Sequence, residues 1–433
     1  MKIFLAALLM MLFLSKPTFA ASPIEITGDR AAPSYWLKPD GDRVILNSAR
    51  IAQLNSQMRS KDPYSVNLVK FPEQIPAADV QAKLDKSHKD NDYTVEAPVK
   101  VRYAVTVKRA NIRCLPQPWN GDNYDDFQAT ALDPAEAVAV LIPSRDEKYF
   151  FCQARNYFGW IARDEIAFTD RVTWLSYAEP KDFLVVVDHK KTINVEGHKQ
   201  LFQMGAVIPL IQTVRDEAPQ KGNGFGKRFG ASVAIAIPAF PSVGSNKTGS
   251  EWVARLPVSL NGRLKEVYVT INDDDTINYG WLPCTQNNFV KQAFKFLGDE
   301  YGWGGLNDSV DCSAFVGDVY RSMGIELPRD TDRQESVMPI FAVFNDVGTY
   351  TRYDIVKRAP VGALLFKPGH VMMYLGQDKN GTPLMIHAAS SHYVNGEKIF
   401  VRKVMVSDLT YKNGAGVATI DGLTGIGTIV TGG

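Results

Sequence analysis

The chain has 433 residues, more than one hydrophobic core organises, so roughly two to four domains are expected. Hydrophobic residues make up 45% and charged residues 22%, a balance that fits folded domains and excludes a wholly disordered chain. Lys+Arg 48 against Asp+Glu 47 leaves a net charge of +1, which argues against nucleic acid as the main partner, because phosphate binding needs surplus cations.

Residues 1–20 read as an export signal outside the fold. Lys2 supplies a positive start, Ile3 to Leu14 form an apolar run, and Thr18-Phe19-Ala20 offers small residues where a signal peptidase cuts. The run is shorter than the roughly 20 apolar residues needed to span a bilayer. The mature protein is therefore expected outside the cytoplasm, periplasmic or extracellular, with no stable membrane insertion. In that compartment cysteines can pair. Cys114, Cys152, Cys284 and Cys312 are widely spaced with no CxxC, which speaks against a zinc site. Cys114 and Cys152 share one small β-rich segment and are the expected disulfide if one forms.

Residues 21–97 carry too few apolar residues for a core of their own and read as an arm or small cap. Ile51, Leu54 and Met58 have helical spacing within it. From Val99 the period becomes two: Val101, Tyr103, Val105 and Val107 alternate with polar neighbours. Further strands are expected at Ala137–Ile142, Lys148–Ala154 and Gly159–Ile166, which suits a small β-barrel over 98–178. A second stretch of this kind fills 179–283, with Gly/Lys/Asn-rich interruptions near 219–229 and 244–250. The endings Tyr157-Phe158-Gly159-Trp160-Ile161 and Tyr279-Gly280-Trp281-Leu282 are alike and suggest tandem barrels. Over 284–433 the pattern turns α+β, opening with the helical face Val290, Ala293, Phe294 and Leu297 before Gly298.

Within this last region, Tyr301 to Val316 places Cys312 where a loop enters a helix. Asp311 is a good N-cap, and Phe315, Val316, Val319, Tyr320 and Met323 form the apolar face. A cysteine in the first turn feels the helix dipole and unpaired amides, which favour thiolate and can hold an oxyanion. His370 opens a strand after Pro368-Gly369, and His387 lies in the next strand after Asp378-Lys379-Asn380-Gly381. A cysteine, a histidine base and a third polar residue that orients the base are the parts of a thiol peptidase. A simple hairpin about Asn380-Gly381 would put His387 opposite Tyr374, roughly 13 Å from His370 along the strand. On register alone His392 lies nearer, so either histidine could be the third residue. Asp273-Asp274-Asp275 reads as a solvated turn rather than a calcium loop.

Five motifs in order carry a resemblance: Y-x-W-G-G, D-C-S-x-F-V, G-I-x-L-P-R-D-T with Gln334, G-H-V-x-x-Y-L-G, and I-H-A. Over about residues 284–410 the chain resembles the NlpC-type cell-wall cysteine peptidases. The resemblance implies a papain-like α+β domain with Cys312 as nucleophile, His370 as base and His387, in preference to His392, as the orienting residue. Ala314 and Ala363 depart from the usual Gly and Asp of that family without touching these roles. The region before it resembles a subgroup with SH3-like barrels ahead of the peptidase domain. That likeness implies cleavage between D-glutamate and an L-diamino acid in peptidoglycan stem peptides, with preference for a free N-terminal L-alanine. It assigns substrate contacts to Tyr157, Asp311 and Ser313, with Asp330 and Thr331 beside them, while Tyr157 read alone fits a barrel-core ring equally well. The expected architecture is thus two small all-β SH3-like barrels followed by the peptidase domain, with no metal or organic cofactor implied. Alternatives are a wall-binding protein with an inactive peptidase-like domain, or a Cys–His amidase or acyltransferase on another substrate.

Overall fold

The computed structural model describes residues 24–119, 121, 124–211 and 251–430. The leader read at 1–20 and the Gly/Lys/Asn-rich stretches near 219–229 and 244–250 lie outside the described residues. No described helix is long and apolar enough to cross a membrane.

The N-terminal segment is a strap across two cores. Helix α1, Ser48–Lys61, starts where the Asn47 side chain accepts from Arg50 N–H, and buries Met58 in the C-terminal core. Helix α2, Ala77–Ser87, buries Val80 and Leu84 in the core of the first β-unit, together with Leu68, Phe71 and Ile75. Each such buried aliphatic or aromatic side chain contributes about 1.5–3 kcal/mol.

The first β-unit comprises β1 Arg102–Thr106, β2 Ala110–Arg113, β3 Gln128–Leu132, β4 Ala137–Pro143, β5 Tyr149–Gln153, β6 Phe158–Ala162 and β7 Ile166–Thr169. Strands β2 and β3 escape the sequence reading because each is short and a polar loop separates them. Helix α3, Arg171–Ala178, buries Trp174 against this unit. The second unit, with β8 Phe183–Val186, β9 Lys190–Val195, β10 His198–Gln203, β11 Val207–Pro209, β12 Glu251–Leu260, β13 Arg263–Asn272 and β14 Ile277–Tyr279, has its own core of Leu184, Val186, Phe202, Ile208, Leu256 and Ile277. Its long hairpin β12–β13 extends the first unit's sheet through a parallel pairing of Phe168 with Arg263. The two similar endings do not occupy equivalent places. Trp160 is fully buried, whereas Trp281 remains 40% exposed, against Phe183.

The C-terminal region places α4 Gln286–Lys295, α5 Cys312–Arg321 and α6 Thr331–Val337 beside a sheet ordered β15-β20-β16-β17-β18-β19. These strands are β15 Ile340–Val343, β16 Leu364–Lys367, β17 His370–Gln377, β18 Pro383–Val394, β19 Glu397–Ser407 and β20 Gly425–Gly427, with α7 Thr349–Lys357 between β15 and β16. Phe315, Val316, Val319 and Tyr320 of α5 pack with Val371, Met373, Leu375 and Ile386 of the sheet.

All four cysteines are free thiols. The disulfide expected between Cys114 and Cys152 does not form: Cys152 is in the core of the first β-unit, while the Cys114 thiol lies near Asp330 and Tyr157.

One buried ion pair joins the strap to the C-terminal region. Asp62, at the end of α1, receives Arg333 Nε at 2.8 Å and Nη2 at 2.7 Å. Burial alone would raise the Asp62 carboxyl, yet Arg333 and Ser65 hold it below its ordinary value. Asp62→Ala is expected to lower stability by about 1.5–3 kcal/mol, because Arg333 loses two charge-assisted hydrogen bonds and keeps only Asp330 as a carboxylate partner. A denaturant titration of both proteins reads this. Since the folded pKa is depressed, the Asp62 contribution is present above about pH 3.9 and fades as pH falls through the folded value.

Candidate active site

The nucleophile candidate is held from its N-terminal side. Asp311 caps α5: its Oδ1 accepts from Ala314 N–H at 2.8 Å and from the Ser313 hydroxyl at 3.0 Å. Its Oδ2 accepts from Gly304 N–H at 3.0 Å, which ties the Trp303-Gly304-Gly305 loop to the helix start. Gly304 and Gly305 take φ of 58° and 86°. A Cβ on Gly304 would meet Gln128 at 2.8 Å, and one on Gly305 would meet Arg109 at 2.9 Å. This loop therefore needs glycine twice over, for its backbone conformation and for its close approach to β3.

Arg329 completes the cap. Its guanidinium reaches Asp311 from Nη1 at 3.0 Å and Nη2 at 2.8 Å, touches Ser313, and donates from Nε to Thr130 of β3 at 2.8 Å. Burial by itself would raise the Asp311 carboxyl; the Arg329 charge and its hydrogen bonds hold it down. With donors on both oxygens from Ser313, Ala314, Gly304 and Arg329, Asp311 has no free acceptor for a substrate amine. Asp330 is differently placed. It sits at φ 70°, pairs with Arg333 Nη1 at 3.2 Å, and burial raises its carboxyl against the two neighbouring arginines. Tyr157 lies beside it, with its ring 5.0 Å from that of Tyr64 and 5.1 Å from the Arg333 guanidinium.

Cys312 is 7% exposed, with Thr331 Oγ1 3.7 Å from its sulfur and Val371 N–H directed at it. Val371 follows His370, so the thiol rests against the start of β17. His370 Nε2 lies 2.7 Å from His387 Nδ1. This contact resolves the register problem. Strand β17 pairs Met373 with Ile386 and Tyr374 with Met385, and the ladder shifts between Tyr374 and Gly376, where Gly376 has φ 122°. Continued along the strands, that register sets His387 opposite Met372, a diagonal neighbour of His370 on one face. His392 lies beyond a second irregularity, between Ala389 and Ser391, and pairs with Ile399.

A longer chain fixes the tautomers. The Asp408 carbonyl only accepts, so the Ser407 hydroxyl donates to it at 3.1 Å. Ser407 then accepts from His387 Nε2 at 3.0 Å. His387 Nδ1 is left as an acceptor, and takes the Nε2 proton of His370. Nδ1 of His370 is thereby free to act as a base. The His387 ring stacks on Tyr411 at 5.7 Å. Sequence reasoning missed Ser407, since spacing alone does not bring residue 407 beside 387. It also missed a role for Arg329, although that arginine stands in the motif G-I-x-L-P-R-D-T.

The resting charge state differs from the expected thiolate. Burial pushes the Cys312 thiol up to about 11, with Asp311 adding to the effect. Burial also lowers both histidines, His387 to about 3, with the Lys367 charge acting in the same direction. The dipole at the helix start does not overcome desolvation, and the resting pair is neutral thiol and neutral imidazole. Proton transfer between them creates an ion pair whose mutual attraction is strong in this dry site. Alkylation of Cys312 by iodoacetamide, followed by mass spectrometry of its peptide, is expected to rise about tenfold per pH unit from pH 7 to 10, as a raised thiol pKa requires. A rate already level at pH 7 would contradict the neutral resting pair.

Residues 298–410 match the NlpC/P60 family, and residues 115–162 match the SH3 domain of SH3b1 type. A curated relative, dipeptidyl-peptidase 6 of Lysinibacillus sphaericus, is 32% identical over 105 residues, which span 24% of this chain and 32% of that protein's length. Among solved structures, an NlpC/P60 endopeptidase from Photobacterium damselae subsp. piscicida superimposes with a TM-score of 0.64 at 18% identity, over 90% of this chain and 92% of that one. An NlpC/P60 family protein from Bacillus cereus gives 0.48 at 14% identity, over 76% of this chain and 100% of that one. At 18% identity the first of these likenesses speaks for the fold alone. The chain carries an SH3-type domain followed by a domain of the NlpC/P60 family of cell-wall peptidases.

Proposed function

We propose that this protein is an exported peptidoglycan hydrolase that cleaves the γ-D-glutamyl–L-diamino acid bond of stem peptides by a Cys–His–His mechanism. The observation that carries the reading is the hydrogen-bonded chain His370–His387–Ser407, set beside a cysteine at a helix start. In this mechanism the Cys312 proton passes to His370 Nδ1 as the sulfur attacks the γ-glutamyl carbonyl. Amides at the start of α5 hold the oxyanion. His370 then protonates the leaving amine of the diamino acid. Water hydrolyses the thioester, giving one proton to His370 and restoring the thiol. His387 and Ser407 keep the His370 base facing the sulfur throughout.

The preference for a free N-terminal L-alanine is supported by the wall that the first β-unit contributes. Asp330 is the carboxylate best placed for an ammonium, with Tyr157 beside it. Asp311 and Ser313 act through Arg329 to shape that wall, and Thr331 seats the thiol. We read the second β-unit as a further SH3-like barrel and the peptidase domain as papain-like, with the nucleophile helix packed on the sheet that carries the base.

Purified protein is to be offered L-Ala-γ-D-Glu-diamino acid peptides, free and attached to muramic acid, with Cys312→Ala as control. Mass spectrometry is expected to find cleavage of the free-amine peptide only, abolished by the substitution. Cleavage of neither peptide by the unaltered protein would overturn the reading. Within this reaction Ser407→Ala is expected to lower kcat by about tenfold at unchanged KM, because His387 Nε2–H is left buried without an acceptor. Ser407→Thr, which keeps the hydroxyl, is expected to retain most of the rate.

A further inference from the structure

Lys367 is a cation at the reacting centre that no carboxylate of the described residues neutralises. It ends β16 and pairs directly with His370 across the turn Pro368-Gly369. Pro at the first turn position and Gly369 at φ 69° suit a type II turn, which makes this two-residue connection tight. Residues directly opposite in an antiparallel pair project from one face, so Lys367 and His370 share the face that meets Cys312. The stem lies along the Tyr411 ring, with Nζ 4.7 Å from its centroid, and Nζ is 3.4 Å from Thr419 Oγ1. Among the described residues no carboxylate lies within ion-pair distance of this ammonium. The titratable groups around it are Cys312, His370, His387 and Tyr411.

A half-buried ammonium without a counter-charge is costly to keep. Burial pulls the Lys367 ammonium down to about 8, opposed by Cys312, so it is still charged at neutral pH. It also opposes protonation of both histidines, so holding it there costs the site basicity. A charged partner that arrives only with substrate offsets that cost. We propose that Lys367 is the carboxylate-binding residue of the cleft, pairing with a substrate carboxylate next to the scissile carbonyl. This rests on the peptidase reading above. In such a substrate two carboxylates lie close enough: the α-carboxylate of the D-glutamyl residue, one glutamyl side chain from the attacked carbon, and that of the diamino acid.

Two measurements on the full protein test it, with Lys367→Met, which keeps the stem, checked by thermal unfolding. The first needs no peptidase substrate. Rates of Cys312 carboxymethylation by iodoacetate and carbamidomethylation by iodoacetamide are compared at one pH. The iodoacetate-to-iodoacetamide ratio is expected to fall about tenfold in the variant, as loss of a charge-assisted contact implies. An unchanged ratio overturns the proposal, even if stem peptides are not cleaved. The second compares kcat/KM on peptides amidated at the D-glutamyl or at the diamino acid carboxylate. The substitution is expected to cost about 30-fold on the free acid and under about threefold on the peptide lacking the recognised carboxylate. Which amidation removes the sensitivity names the carboxylate. Equal losses on every peptide would overturn the proposal and place Lys367 in activation of the thiol instead.

Discussion

The buried pair of Asp311 and Arg329 organises everything around the reacting centre. The two side chains are 9% and 10% exposed. A buried pair of this kind is weak evidence for stability, because desolvation offsets most of the attraction. Its consequence is geometric. Through one carboxylate the pair caps the helix that presents Cys312, tethers the Trp303 loop, and orients Ser313; through one guanidinium it reaches Thr130 in the SH3-type domain. Removing either partner would leave a charge unpaired in the interior, and the helix start and the cleft wall would lose their common reference.

The same helix is clamped at its other end. Arg321, in the last turn of α5, reaches Asp133 at 2.6 Å and Glu136 at 3.2 Å in the first β-unit, and donates to the Met204 carbonyl of the second. A cation in that turn also complements the helix dipole. The peptidase helix is thus held at both ends by arginines whose partners belong to the β-units. Gln128 adds a bond from Nε2 to the Gly304 carbonyl at 3.0 Å. The SH3-type domain is therefore part of the framework that holds this helix.

What the sequence revealed followed periodicity and local chemistry. The apolar face of α5, the Asp311 cap, the stop at Gly298 and the strap helix at residues 48–61 all depend on neighbours within a few positions, where spacing carries information. The order of Cys312, His370 and His387 was legible through ordered motifs. Their contact was not, because it depends on a turn that sets Gln377 opposite Pro383 and on one ladder shift at Gly376, each moving His387 one place toward His370. Ser407 and Arg329 belong to a different class. Their partners lie 20 and 18 positions away on other elements, and only the packed sheet and cap bring them together. The misread disulfide has the same origin: closeness in sequence did not bring together Cys152, in the core of the first β-unit, and Cys114, near Asp330 and Tyr157.

The charge state of the centre follows from the same packing. A helix start favours thiolate in an exposed setting, and from sequence that was the natural expectation. Here Val371 and Thr331 lie against the buried sulfur, and desolvation outweighs the partial charge of the helix terminus. The histidines are buried with it, on a face that also carries Lys367. Burial thus holds the thiol and both histidines toward their neutral forms, while Lys367 has no carboxylate within ion-pair distance among the described residues. Such a centre stores its electrostatic driving force for the moment when charge develops. On the proposed mechanism the ion pair of thiolate and imidazolium, the oxyanion and the substrate carboxylate would appear together in a buried region. Selectivity and activation become one property of the cleft, since the cation that would recognise the substrate also keeps the base unprotonated until the thiol supplies its proton.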